Sequence, residues 1–212
     1  MIEDGIYGFW KPKGPSSAHF LNGIKRKCYP KKVGHAGTLD PLAEGILVVG
    51  IGKGTKMLQM EVAKEKEYVA GIRLGITSAT DDEEGEKTEM NVANIPSAEA
   101  VSAAINSFVG DISQIPPAFS ALKIHGTEAY KLARKGIIPE MKARPAKVMS
   151  ANLISYSYPD ITVRFVTGPG VYIRSLARDI GAALGTGGYM SDLIRERVGS
   201  FTAKNAIDPE SL

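Results

Sequence analysis

The sequence predicts a mixed α/β protein of the α+β type, in which strands and helices do not alternate as regular βαβ units. Three observations carry this expectation. The 212 residues include 23 glycines and 12 prolines, which supply turns for strands as well as helices. Segments with apolar residues at every second position stand beside segments with apolar residues three and four apart. No internal repeat or interdomain linker breaks the chain, so residues 1–212 read as one domain.

Taken in order, Gly5 to Trp10 reads as a short strand that runs into a Lys11-Pro12-Lys13-Gly14-Pro15 turn. Ser17 suits a helix N-cap, and Phe20, Leu21, Ile24 and Cys28 form one apolar stripe behind it. Basic residues from Lys25 to Lys32 crowd the end of that helix, where the dipole favours positive charge. Residues 34–41 read as a loop, and Ile46 to Ile51 as an apolar strand. Between Glu67 and Leu74, Tyr68, Ala70, Ile72 and Leu74 alternate onto one strand face. The acidic run from Asp81 to Glu86 lacks calcium-loop spacing and reads as a solvated loop. Ser97 opens a helix with Val101, Ile105 and Phe108 at helical spacing.

Residues 114–145 differ in character. They hold Pro116-Pro117, a short helix from about Thr127 to Lys135 closed by Gly136, and the bases Lys123, Lys131, Arg134, Lys135, Lys142 and Arg144. This reads as a basic insertion projecting from the main body. Strands are expected at Lys147–Tyr156 and Ile161–Val166, and a Gly168-Pro169-Gly170 turn feeds a helix from Val171 to Leu184. A last short strand is expected near Leu193 to Phe201.

Composition excludes several classes of function. Cys28 is the sole cysteine, so neither an intrachain disulfide nor a cysteine-based zinc site can form. No apolar run reaches membrane-spanning length, and no signal-like segment follows Met1, so a cytoplasmic protein is expected. Net charge is only +3, but it is uneven: residues 1–66 carry 11 bases against 6 acids, and residues 101–150 carry 7 against 3. Residues 67–100, with 8 acids and 2 bases, separate them. Two basic regions of this kind suit a phosphate-facing surface, although scattered surface lysines give the same count.

Gly50-Ile51-Gly52-Lys53-Gly54-Thr55 mimics a phosphate loop but fails its spacing, because Leu47 stands where the first glycine belongs and Gly54 follows the lysine. The loop Gly34-His35-Ala36-Gly37-Thr38-Leu39-Asp40-Pro41 is more informative. Its local chemistry admits a plain reading, with Asp40 capping a turn begun by Pro41 and His35 as a hydrogen-bonded loop residue. Tyr68 alone reads as core. Arg174, near a helix start, is badly placed for the dipole, which points to an anionic partner.

Gly34 to Pro41, continued by Leu42-Ala43-Glu44-Gly45, closely resembles the catalytic-loop motif of bacterial TruB-type tRNA pseudouridine synthases. Other segments resemble the same family in the same order: Lys11-Pro12-Lys13-Gly14 with Ser17, Lys66-Glu67-Tyr68, Pro116 to Lys123, and Gly170-Val171-Tyr172-Ile173-Arg174. Leu193, Arg195, Gly199 and Phe201 extend the likeness to the end of the chain. It departs at His19, where an Asp is common, and at Phe119, where a Tyr is frequent. The family usually continues into a small RNA-binding PUA domain, whereas this chain stops at Leu212, so a catalytic domain without a PUA domain is expected.

What the resemblance implies is a pseudouridine synthase fold: a mixed, largely antiparallel sheet flanked by helices, with residues 114–145 as an RNA-gripping insertion. It implies isomerisation of a T-loop uridine of tRNA, without metal or cofactor. Asp40 would be the catalytic carboxylate and Arg174 its partner, with Tyr68 against the uracil and Tyr172 and Leu193 as pocket walls. His35, Lys11, Lys123 and Arg134 would contact RNA. The expected partner is the tRNA T-arm, bound by a monomer with no obligate protein partner and no membrane. A guide-selected uridine in ribosomal RNA, and an RNA-folding module with secondary turnover, are the competing readings.

Overall fold

The computed structural model describes residues 2–124 and 126–212. A nine-stranded sheet is its backbone, and the order of elements explains how two short segments, the Asp40 loop and the start of the last long helix, come to be held.

Strand β1 (Gly5–Lys11) leads into helix α1 (Ser17–Lys27). The N-cap is Ser16, whose side chain accepts from the His19 amide; Ser17, expected in that role, is already inside the helix and buried. Leu21, Ile24 and Cys28 are buried as their spacing predicts, packing with Phe9, Leu47, Val49 and Ile51. Lys25, Arg26 and Lys27 occupy the last turn, where their charge opposes the dipole. Strand β2 (Val33–Ala36), expected as loop, pairs antiparallel with β3 (Glu44–Ile51). The Asp40 segment is therefore the tip of a β2–β3 hairpin. The Gly52–Lys53–Gly54 stretch is a 3-10 turn packed so tightly that a Cβ on Gly54 would run into the Gly5 carbonyl oxygen. Close backbone approach explains its glycines without a phosphate.

A short helix α2 (Leu58–Val62) precedes β4 (Lys66–Leu74), on which Tyr68, Ala70, Ile72 and Leu74 are buried in strict alternation. The hairpin β5 (Ile76–Ser78) and β6 (Lys87–Glu89) brackets the acidic run. Helix α3 (Ala98–Asn106) is capped by Ser97 and buries Val101 and Ile105. Then comes β7 (Gly110–Gln114), and after it the basic insertion. The insertion contains a small hairpin, β8 (Lys123–Ile124) with β9 (Thr127–Glu128), and helix α4 (Ala129–Ala133), shorter than its sequence pattern predicts. Strand β10 (Arg144–Ser157) returns antiparallel to β7, so the two ends of the insertion meet as Gln114 opposite Arg144.

Strand β11 (Asp160–Thr167), helix α5 (Ile173–Ala183), β12 (Gly188–Val198) and β13 (Phe201–Thr202) complete the fold. The final expected strand begins five residues earlier than its sequence pattern shows, because Gly188 to Met190 are buried on both faces and do not alternate. Sheet order is β1-β3-β12-β4-β11-β10-β7, with β2 on β3 and β13 on β12. The β3–β12 pair is parallel, whereas β1–β3, β2–β3, β7–β10 and β12–β13 are antiparallel. The chain divides into two compact units. One holds residues 1–69, 166–169 and 193–212, and the other holds residues 70–165 and 170–192.

Candidate active site

In the first unit, the hairpin tip that carries Asp40 is held at nearly every backbone group around it. Ser17 Oγ donates to the Leu39 carbonyl (2.7 Å) and accepts from the Leu39 amide (2.8 Å), with both residues buried. Arg195 Nη1 donates to the Thr38 carbonyl (3.2 Å) and Nε to the Ile46 carbonyl (2.7 Å), bridging the two sides of the hairpin. The Pro41 carbonyl accepts from the Gly14 amide (2.7 Å), and the Ala43 amide donates to the Asp40 carbonyl (3.1 Å). Gly45 stands at φ +119°, and any Cβ there would run into the Arg195 backbone, the carbonyl oxygen nearest of all. A glycine is therefore required where β3 comes alongside β12. Asp40 itself is half-buried, so its carboxylate stands on a fixed backbone while keeping access to solvent.

Lys11, expected to touch RNA, is fully buried instead. Its Nζ donates to the carbonyls of Pro12 and Pro15 (both 2.9 Å), with the Pro41 carbonyl at 3.5 Å. Its three donors are directed at the backbone, so this lysine ties the turn after β1 to the Asp40 loop and is not placed to meet a phosphate. Burial lowers its pKa to about 8, opposed by the Asp40 charge and reinforced by Arg195. Lys66, also buried, closes the end of α2 by donating to the Val62 and Lys64 carbonyls (both 2.6 Å), and burial lowers it to about 8 as well. Lys11 and Arg195 concentrate positive charge around the hairpin tip.

His35, on β2, hydrogen-bonds through Nδ1 with the Gly37 carbonyl (3.2 Å). Burial lowers its pKa, against the Gly37 bond that raises it, and Arg195 and Lys25 lower it further. A neutral ring at neutral pH follows. Tyr68 and Leu193 are both buried, at 7% and 5% exposure.

In the second unit, Arg174 lies in the first turn of α5, at 6% exposure. Its Nη1 pairs with Asp82 Oδ2 (3.1 Å) and donates to the Thr80 carbonyl (3.3 Å), while Nη2 donates to the Phe119 carbonyl (3.0 Å). The expected solvated loop from Asp81 to Glu86 is thus corrected at its start. Asp82 is buried, and it also accepts from the Thr80 hydroxyl and the Glu84 amide. Asp81, at φ +60°, pairs with Arg178 (2.7 Å); burial raises its pKa and Arg178 opposes that shift. Lys87 Nζ anchors the loop from within, donating to the carbonyls of Asp82, Glu83 and Gly85. Asp81 and Asp82 are drawn inward because two helix arginines pair with them, which no local pattern discloses.

Tyr172 is the α5 N-cap and is half-buried, with the Arg144 guanidinium 4.9 Å from its ring centre. On the insertion, Lys123 and Arg134 are exposed as expected. Arg134 and Lys131 lie over the Tyr130 ring at 5.5 and 5.9 Å, and Lys131 is paired with Glu128 at 2.9 Å. Among the described residues, no group of three or more His, Cys, Asp or Glu could hold a metal. No helix among them is long and apolar enough to cross a membrane. The sequence reading missed the clamping roles of Ser17, Arg195, Asp82 and Gln114; a buried polar residue gives a sequence signal only once its partner is known.

Comparison with known proteins defines the class. The solved Cbf5-Nop10-Gar1 complex contains a chain that superposes with a TM-score of 0.73 at 31% identity, covering 94% of this chain and 50% of that one. A chain of the archaeal box H/ACA sRNP Nop10-Cbf5 complex gives 0.72 at 28% identity, over 99% and 52%. This chain thus spans about half the length of those solved chains. A structure described as a pseudouridylate synthase shares the fold at 17% identity. The fold is that of the pseudouridylate synthases.

Residues 25–173 match the model of the TruB family pseudouridylate synthase N-terminal domain, and residues 174–212 that of the tRNA pseudouridylate synthase B C-terminal domain. The tRNA pseudouridine synthase B of Thermobifida fusca is 41% identical over the whole chain and 75% of its own length. That of Clostridium novyi is 42% identical over 99% of this chain and 72% of its own. The chain belongs to the TruB family of pseudouridylate synthases.

Proposed function

We propose that the chain isomerises uridine 55 in the T-loop of tRNA to pseudouridine, with Asp40 as the catalytic carboxylate. The observation that carries this reading is the hairpin tip: a half-buried carboxylate on a backbone clamped by Ser17, Arg195, Lys11 and the Gly14 amide. Electrostatic catalysis needs a charge whose position is set before the substrate arrives. The C1′–N1 glycosidic bond breaks, the uracil rotates, and C5 bonds to C1′; the C5 proton is lost and N1 is protonated, so atoms and electrons balance without a cofactor. Positive charge builds on the sugar beside the Asp40 carboxylate, which either attacks C1′, the new C–O bond breaking again as C5 joins C1′, or removes the C2′ proton and later returns it.

A stacked T-loop base must first leave its stack, at a cost of a few kcal/mol. A neutral His35 suits the vacated, partly apolar position better than a charged ring. Tyr68 supplies an aromatic face for the uracil. Exposed Lys123 and Arg134 on the insertion meet T-arm phosphates, which fix register without reading sequence. The relatives named for tRNA are 41% and 42% identical, above the 31% and 28% of the chains from the two Cbf5 complexes, which supports tRNA as the substrate.

The test is to map pseudouridine on unmodified tRNA treated with wild type and with Asp40→Asn. Asn can still cap the turn at Pro41 but carries no charge. The wild type is expected to modify one T-loop uridine, while the variant binds tRNA and leaves it unmodified. Substantial conversion by pure Asp40→Asn sinks the assignment.

A further inference from the structure

The insertion and the start of α5 share a fastening. Gln114, the last residue of β7, is 1% exposed. Its amide group reads both polar atoms of one backbone residue: Nε2 donates to the Tyr172 carbonyl (3.1 Å) and Oε1 accepts from the Tyr172 amide (2.9 Å). A side-chain amide thus imitates a peptide group and adds one rung of ladder to the turn before α5. Directly opposite Gln114 in the β7–β10 pair stands Arg144, which donates to the Gly170 carbonyl (2.7 Å) and lies over the Tyr172 ring. The next residues continue the seam. The Ile115 carbonyl accepts from Ser175 Oγ (2.8 Å) and Arg178 Nη2 (3.0 Å), and the Phe119 carbonyl accepts from Arg174 Nη2. Both stems of the insertion therefore grip residues 170–172.

We infer that Gln114 is a positioning residue for Tyr172 and Arg174, through which the insertion's hold on RNA and the orientation of the α5 N-terminus form one unit. This rests on the reading of the chain as an RNA pseudouridine synthase. A side-chain amide satisfies both Tyr172 groups at every pH: an ionised glutamate accepts from the amide but faces the carbonyl with a second acceptor, a protonated one keeps a donor for it, and a methionine satisfies neither. Displacement of Tyr172 or Arg174 by a fraction of an ångström acts on the chemical step, while the outer insertion keeps its hold on the phosphates.

The experiment compares wild type, Gln114→Glu and Gln114→Met, with the more exposed Arg144→Met as a variant that spares the buried position. Single-turnover rate at saturating enzyme, affinity for a T-arm stem-loop, and hydrogen exchange of a peptide spanning residues 170–176 are read for each. Gln114→Met is expected to slow the chemical step by about ten- to a hundredfold, and Gln114→Glu to do so as its carboxyl ionises with rising pH. Affinity should change by less than about threefold, well under 1 kcal/mol, and exchange at the Tyr172 amide should accelerate. Arg144→Met should show the same pattern more weakly. A folded Gln114→Met protein with wild-type rate overturns the inference, as does exchange at residues 170–176 that no variant alters. A wild type that forms no pseudouridine refutes the functional reading instead, and the exchange data still decide whether Gln114 holds Tyr172.

Discussion

Replacing Ser17 by alanine isolates the clamp on the Asp40 loop, because it deletes one oxygen and adds no bulk. That oxygen makes two hydrogen bonds, of 2.7 and 2.8 Å, to the carbonyl and amide of Leu39, the residue before Asp40. Ser17 is 2% exposed and Leu39 3%, so water cannot replace either bond without the loop moving. Leaving a buried peptide group unsatisfied costs about 1–3 kcal/mol, so two such groups, partly relieved by relaxation, give a loss of about 2–4 kcal/mol. Relaxation itself shifts the Asp40 backbone, and a shift near 1 Å at a reacting group lowers the rate by about a hundredfold. Urea denaturation reads the first quantity, and single-turnover pseudouridine formation on bound stem-loop reads the second. Ser17→Thr keeps the hydroxyl and should recover much of both if the extra methyl is accommodated. A Ser17→Ala protein within about 0.5 kcal/mol of wild type, with unchanged turnover, would refute the claim that this hydroxyl sets the loop.

Arg174→Lys should be strongly impaired despite its conserved charge, because an ammonium cannot span Asp82, the Thr80 carbonyl and the Phe119 carbonyl as the planar guanidinium does; near-normal turnover would contradict that. Asp82→Asn should lower stability and turnover together, since it removes the charge that pairs with the buried Arg174 guanidinium at 3.1 Å, and chemical denaturation beside a rate measurement checks both. Lys11, with its pKa lowered to about 8, binds its proton less tightly folded than unfolded, so the stability it contributes rises with pH from about 8 towards 10.5. That increment should be absent from the stability–pH profile of Lys11→Met. On the insertion, Arg134→Ala with Lys135→Ala should flatten the dependence of log affinity on log salt by about one unit for each phosphate no longer engaged. The single-turnover rate of bound RNA should stay close to wild type, and an unchanged salt slope would move the RNA grip elsewhere.

Where chemistry is local, sequence and structure agree. The alternation at Tyr68, Ala70, Ile72 and Leu74 survives as a strand because each residue meets its environment through its own side chain. The stripe of Leu21, Ile24 and Cys28 survives for the same reason.

The sequence by itself determined the α+β class, the residues of the Asp40 loop motif and the family. Each depends on residues within a few positions of one another or on a motif matched in order. Tertiary structure alone decided what holds those pieces. Ser17 left the helix cap for Leu39, Lys11 turned from a phosphate to three carbonyls, and Arg195 joined Thr38 to Ile46 across the hairpin. Asp82 was drawn out of solvent by Arg174, and Gln114 paired with the backbone of Tyr172. These are polar groups buried far along the chain from their partners. The free energy of burying such a group is set by whether a distant donor or acceptor arrives to meet it, so its role becomes readable only when the fold has brought the two together.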